Sequence, residues 1–122
     1  MTTQDIGAKL VAFCKAGKNH ECMQELYSKD IVSVEAGAAP GQSPEAKGLE
    51  AVLAKGKWWA DNHEVHSAVI EGPFPNGDRF AVLFDYDITR KAQNVRLRMR
   101  EVAVYTVKDD KIVREEFFYT MG

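Results

Sequence analysis

The sequence predicts an α+β domain in which N-terminal helices pack in the concave face of a strongly curved antiparallel sheet, a cone or roll. Two observations carry that expectation. Apolar residues recur at helical spacing up to about residue 62 and alternate afterwards. The alternating runs are joined by short turn-like segments, which favour antiparallel neighbours. With 122 residues, 45% hydrophobic and 28% charged, the chain is read as one domain, 1–122, large enough for a core of its own. That composition excludes a disulfide scaffold, a disordered tail, a collagen-like rod and a transmembrane protein.

Thr2 and Asp5 form the two ends of a capping box, each side chain satisfying the other's free amide. Ile6, Leu10, Phe13 and Cys14 then share one helical face, and Gly17 ends the segment. Asn19 is placed to cap a second helix with Cys22, Met23, Leu26 and Tyr27 inward. Asp30 to Glu35 reads as a brief strand, and residues 36–43 as a loop of small residues. A third helix starts at Ser43-Pro44 or at Gly48 and carries Leu49, Val52, Leu53, Gly56 and Trp59 to about Asn62. Gly56 implies close packing against another backbone. A strand at about 64–71 and three longer ones follow, with breaks at Pro75-Asn76-Gly77, Lys91 to Asn94, and Lys108 to Lys111.

Alternation assigns faces. Phe80, Val82, Phe84, Tyr86 and Ile88 lie on one side of their strand, with Ala81, Leu83, Asp85 and Asp87 opposite. Leu97, Met99, Glu101, Ala103 and Tyr105 face one way on the next strand; Arg96, Arg98 and Arg100 face the other, followed by Val102 and Val104. Three successive arginines cannot be buried unpaired, so the aromatic face is the inner one and the arginines pair with Asp85 and Asp87 outside. The outer face turns apolar at Val102 and Val104, which predicts a homodimer through that face.

Glu101 is the anomaly, a carboxyl group on the apolar inner face. Two readings stand: a poised acid, base or hydrogen-bond donor, or a partner in a structural ion pair. The last strand has two registers. A two-residue Asp109-Asp110 turn puts Arg114, Glu116 and Phe118 on the face of Glu101; a longer loop with a bulge puts Val113, Glu115, Phe117 and Tyr119 there. Either register places a second glutamate inside, two residues from the level of Glu101.

Other chemistry is thin. The net charge of −2 lacks the basic excess of a nucleic-acid binder. Cys14 and Cys22 read as small buried hydrophobes without a nucleophile signature. His63-Glu64-Val65-His66 lacks the spacing of a helical zinc motif, so no metal and no cofactor are expected. His66 points either into the interior, toward a carboxylate, or to solvent; Trp58 and Trp59 are expected in the core or in a pocket wall. The first residues carry neither a basic region nor an apolar run, so a cytoplasmic location and no membrane partner are the expectation.

The order of elements and the stretch from Glu101 through Lys108-Asp109-Asp110-Lys111-Ile112 to Tyr119 resemble the SnoaL-like branch of the nuclear-transport-factor-2-like, or cystatin-like, superfamily. Asp110 stands where that hairpin usually has glycine. The resemblance implies the cone fold and a small-molecule pocket, on which cyclases, isomerases, hydrolases, dehydratases and non-enzymes are all built. Steroid isomerases of this fold carry a catalytic aspartate within Tyr-x-x-Asp-x-x-Val-Glu-Asp. Here Tyr27-Ser-Lys-Asp30-Ile-Val-Ser-Val-Glu35 sets Glu35 at that aspartate, and a second, protonated aspartate of theirs lies near the place of Glu101. Their helix-one tyrosine has no counterpart, so their oxyanion hole is not reproduced.

The resulting expectation is acid–base chemistry of isomerase or cyclase type on a small apolar molecule. Glu101 would be the acid and Glu35 the base. Tyr86, Tyr105, Phe84, His66, Trp59, Met99 and Glu115 would line the pocket, with residues 36–47 as its lid or entrance. The alternative is a non-catalytic ligand-binding or dimeric accessory protein built on the same cone.

Overall fold

The computed structural model describes residues 1–38 and 40–120. Ala39, inside the expected lid, and Met121-Gly122, at the end of the expected 1–122 domain, lie outside the described residues. The order is α1 (Thr3–Lys15), α2 (Asn19–Leu26), β1 (Tyr27–Val34), β2 (Glu45–Lys47), α3 (Leu49–Asn62), β3 (His63–Asn76), β4 (Arg79–Arg90), β5 (Val95–Lys108) and β6 (Lys111–Phe118). The strands form one sheet in the order β2-β1-β6-β5-β4-β3, antiparallel except where β1 lies parallel to β6. Among the described residues no helix is long and apolar enough to cross a membrane.

The capping box is formed: Asp5 N donates to Thr2 Oγ1 at 3.1 Å, and Thr2 N to Asp5 Oδ2 at 3.0 Å. Ile6, Leu10 and Val11 bury α1 against the sheet. Gly7 makes the closest approach, because a Cβ there would stand 2.7 Å from the Pro73 Cβ of β3. Gly56 has a different neighbour from the expected backbone, since its missing Cβ leaves room for the Met23 thioether. Asn19 is the first residue of α2 and not its cap; Lys18 holds the cap position without a side-chain bond. Tyr27 leaves α2 and opens β1.

The third helix begins at Gly48, which takes a positive φ at its cap. The residues before it, 45–47, are a strand on the edge of β1, held by Glu35 N to Pro44 O at 2.9 Å and Gly48 N to Ile31 O at 2.8 Å. That part of the expected lid is therefore sheet.

Inner and outer faces fall as alternation predicts. Phe80, Val82, Phe84, Tyr86 and Ile88 are buried, as are Ala103 and Tyr105. Arg96 binds Asp87 through two hydrogen bonds, and Arg98 reaches Asp85, all on the outer face. The last hairpin combines both predicted registers. Asp109 and Asp110, each at positive φ, make a two-residue turn with Lys108 opposite Lys111, and a bulge at Val113 then reverses the faces. Glu115 and Phe117 consequently point inward. Glu115 stands opposite Tyr105, four residues from Glu101 and not the expected two.

Candidate functional site

The inner face gathers three carboxyl groups and one ammonium from four parts of the chain. β1 contributes Tyr27 and Ser33 and delivers Glu35 just past its end; α3 contributes Lys55, β5 Glu101, and β6 Glu115. Ser33 is the lateral neighbour of Glu115 in the parallel β1–β6 ladder, and both are sealed from solvent. Ser33 Oγ donates to Glu115 Oε2 at 2.6 Å, and the Tyr27 hydroxyl donates to Oε1.

Lys55 joins this buried group to the edge of the cluster. Its Nζ donates to Ser33 Oγ and forms an ion pair with Glu35 Oε1 at 2.8 Å. The Tyr119 hydroxyl donates to the other oxygen of Glu35, also at 2.8 Å. Lys55 and Glu35 keep 28% and 29% of their side-chain surface, so this end is half open while the Glu115 end is closed. The Lys55 ammonium also lies 5.3 Å from the centre of the Phe117 ring, a cation–π contact.

Glu101 sits opposite Phe84 on β4, with Tyr86 opposite Met99 one inward step away. Burial, then the negative charges of Glu35 and Glu115, push its carboxyl up to about 7, against a smaller opposing pull from Lys55. Burial likewise raises Glu115, opposed by the Ser33 and Tyr27 hydrogen bonds and by Lys55. The electrostatic cause is plain: three carboxyls share one ammonium. Burial, followed by the charge of Glu101, also raises the Tyr86 phenol. Burial and then Glu115 do the same at Tyr105.

Of the residues singled out in the sequence, Glu101, Glu115, Phe84, Tyr86, Met99 and Tyr105 share the inner face, and Glu35 joins them through Lys55. Trp59 belongs to the same wall, its ring 5.5 Å from Tyr86. His66 does not. It lies at the irregularity between Val65 and Ser67, which turns its ring to the outer face, where Nε2 meets Thr89 Oγ1 at 2.7 Å. His63 is the histidine that packs on Trp59, with ring centres 4.5 Å apart. Trp58 is 61% exposed and takes no part in core or wall.

The sequence does not single out Lys55, Ser33 or Tyr119 for this site, and Tyr27 is the core residue it predicts and also a donor to Glu115. Two signals were available. Lys55 lies on the stripe between Val52 and Trp59, where a charge has no business unless paired, and Ser33 alternates with Ile31 and Glu35. Two surface depressions, of about 600 Å³ beside Lys29 and Lys47 and about 460 Å³ beside Phe74 and Arg79, are lined by none of the cluster residues. Among the described residues no group of side chains has the arrangement of a metal site.

A SnoaL-like domain model matches residues 1–119. A Mesorhizobium loti structure, provisionally described as a SnoaL-like polyketide cyclase with carbohydrate phosphatase given beside it, is 41% identical and superposes with a TM-score of 0.92; the match covers 98% of this chain and 100% of that one. A Xanthomonas campestris protein of unknown function with a cystatin-like fold matches at 19% identity and TM-score 0.79, over 98% and 92% of the two chains. A Bacillus subtilis structure provisionally described as an isomerase matches at 16% identity and TM-score 0.78, over 98% and 90%; these last two likenesses speak for the fold alone. No protein of curated function matches the sequence. With the family model covering all but the last three residues and a 41% identical relative covered end to end, the chain belongs to the SnoaL-like domain family.

Proposed function

We propose that the inner face of the cone takes a small, largely apolar molecule and carries out proton-transfer chemistry of isomerase or cyclase type, with Glu101 as the acid–base group. One observation carries this reading. Glu101 is an inward carboxyl among aromatic rings, pushed up to about 7, so near neutral pH it both gives and takes a proton. Glu35 is the second carboxyl group, held by Lys55 and Tyr119 through both oxygens. Phe84, Tyr86, Trp59, Met99 and Tyr105 supply the apolar wall, and Glu115 lies behind it as a fixed polar group. The description of the Mesorhizobium loti relative as a cyclase supports the reaction class and leaves the substrate open.

A second copy of the chain is proposed to cover the outer sheet face, where Leu83, Val102 and Phe118 lie side by side and Phe118 and Phe74 are each 53% exposed.

The test of the chemistry begins with native mass spectrometry of the purified protein to find a copurified apolar molecule, supplemented by a panel of small enolisable ketones. Glu101→Gln preserves shape and removes the exchangeable acid proton. It is expected to keep ligand affinity and to lose roughly 10²-fold or more in turnover. Unchanged turnover and affinity in Glu101→Gln would end the reading.

A further inference from the structure

The inner face of the cone is not packed shut. Along β4 its side chains are sealed, but Trp59 of α3, Leu97 and Met99 of β5 and Phe117 of β6 stay only partly buried. Glu101 lies among these unsealed residues. It follows Met99 along the inner face of β5 and stands opposite Phe84 on β4. Phe117 faces Ala103, the next inward residue of β5.

The other charges of this face have partners. Lys55 Nζ forms an ion pair with Glu35 Oε1 at 2.8 Å and donates to Ser33 Oγ. Glu115 accepts from Ser33 and Tyr27, one donor to each oxygen. Glu101 has neither a hydrogen bond nor an ion pair among the described residues. The ammonium of this face is thus committed to a different carboxylate, and Glu101 is left without a donor of its own.

The wall around Glu101 suits a positive one. Aromatic faces attract cations. Phe84 and Tyr86 stack with ring centres 5.7 Å apart, and Trp59 stands 5.5 Å from Tyr86. This wall already holds one ammonium, since Lys55 Nζ lies 5.3 Å from the centre of the Phe117 ring. Burial and the charges of Glu35 and Glu115 make Glu101 costly to ionise, and a cation beside it would offset that cost. An anion would meet like charges instead.

We propose that the inner face binds a small amine, an apolar body carrying one ammonium group that pairs with the Glu101 carboxyl and lies against the aromatic wall. The proposal rests on the reading of the inner face as a small-molecule site and names that molecule's polar group. It concerns binding and is tested without turnover.

The experiment compares probes that share one apolar body: 2-phenylethylamine, a cation at neutral pH, 2-phenylethanol, which is neutral, and phenylacetate, an anion. The full chain is labelled with ¹³C at its methionine methyl groups, and Met99, beside Glu101, is assigned from Met99→Leu. Titration of the Met99 signal at neutral pH gives a Kd for each probe. The amine is expected to bind roughly tenfold more tightly than the alcohol, with phenylacetate weakest. Glu101→Gln is expected to bring the amine to within about threefold of the alcohol and to leave the alcohol's own Kd in place. Equal or tighter binding of the alcohol or of phenylacetate overturns the proposal and leaves the inner face standing as a ligand site. So does a preference for the amine that survives undiminished in Glu101→Gln. A Met99 signal that responds to none of the probes removes the ligand site itself, and the proposal with it.

Discussion

Ser33 and Glu115 face each other across the parallel β1–β6 ladder, and the serine hydroxyl closes the gap to the carboxyl at 2.6 Å. Tyr27, at the start of β1, supplies the second hydroxyl. A carboxyl only 2% exposed is tolerated there because each oxygen has a donor.

Removing that acceptor leaves the protons of two buried hydroxyls without an acceptor. Glu115→Ala is expected to destabilise the chain by about 3 kcal/mol, combining unpaired donors with a cavity. Glu115→Gln retains the shape and one acceptor and is expected to cost about 1 kcal/mol. Urea denaturation at a single pH measures both. A Glu115→Ala variant as stable as the unaltered chain would show that the hydroxyls find water instead.

The inward carboxyls also set a direction for stability against pH. In the unfolded chain Glu101 titrates near its ordinary value of 4.5, and in the folded chain at about 7. Between these limits the folded state binds more protons than the unfolded one, so stability falls as pH rises through the window. Its cost is absent below the lower limit and complete above the upper one, with a size of order 3 kcal/mol. Glu115, raised by burial, works in the same direction. Glu101→Gln has no such proton to lose. It is expected to be more stable than the unaltered chain at pH 8, the advantage shrinking or reversing at pH 4, as read from denaturation midpoints at both values.

The contact between α1 and β3 is a tight one. Ordinarily, glycine to alanine inside a helix gains about 1 kcal/mol in propensity. At Gly7 the new methyl would stand 2.7 Å from Pro73 Cβ and 2.9 Å from its Cγ, atoms of a ring with little freedom to yield. Overpacking therefore wins, and Gly7→Ala is expected to lose about 1–3 kcal/mol in a thermal or urea melt. A gain in stability would mean that α1 slides away from the sheet at little cost.

What the sequence made legible follows its physical period. Strands β4 and β5 alternate so strictly that their two faces, and the anomaly at Glu101, could be read residue by residue. The capping box at Thr2 and Asp5 was equally local. The site itself was only half legible. Glu115 depended on a bulge at Val113, one extra residue that reverses a whole strand and leaves little trace in composition. His66 was turned outward by the same kind of irregularity in β3. Ser33 and Glu115 meet only because β1 lies parallel to β6, and Lys55 reaches Ser33 only because α3 packs on β1, two long-range pairings that no short turn announces. The short β2 was hidden because its three residues pair on an edge in a segment rich in small residues.

The outer face gives the last prediction. Leu83, Val102 and Phe118 are consecutive neighbours across β4, β5 and β6, with Ala81 and Val104 one step along. This apolar area adjoins the arginine rows, where Arg98 and Arg100 both lean on the single carboxyl of Asp85. If a second copy packs here, its two-fold axis places the same residues on both sides, so each substitution acts twice. Val104→Asp would then set a buried charge in each half of the interface, without touching the inner face. Sedimentation equilibrium is expected to show a dimer for the unaltered chain and a monomer for Val104→Asp, at least tenfold weaker in association, while the urea midpoint extrapolated to low concentration is preserved. A monomeric unaltered chain at tens of micromolar would assign the patch another role, and an unchanged dimer in Val104→Asp would move the interface elsewhere on the molecule.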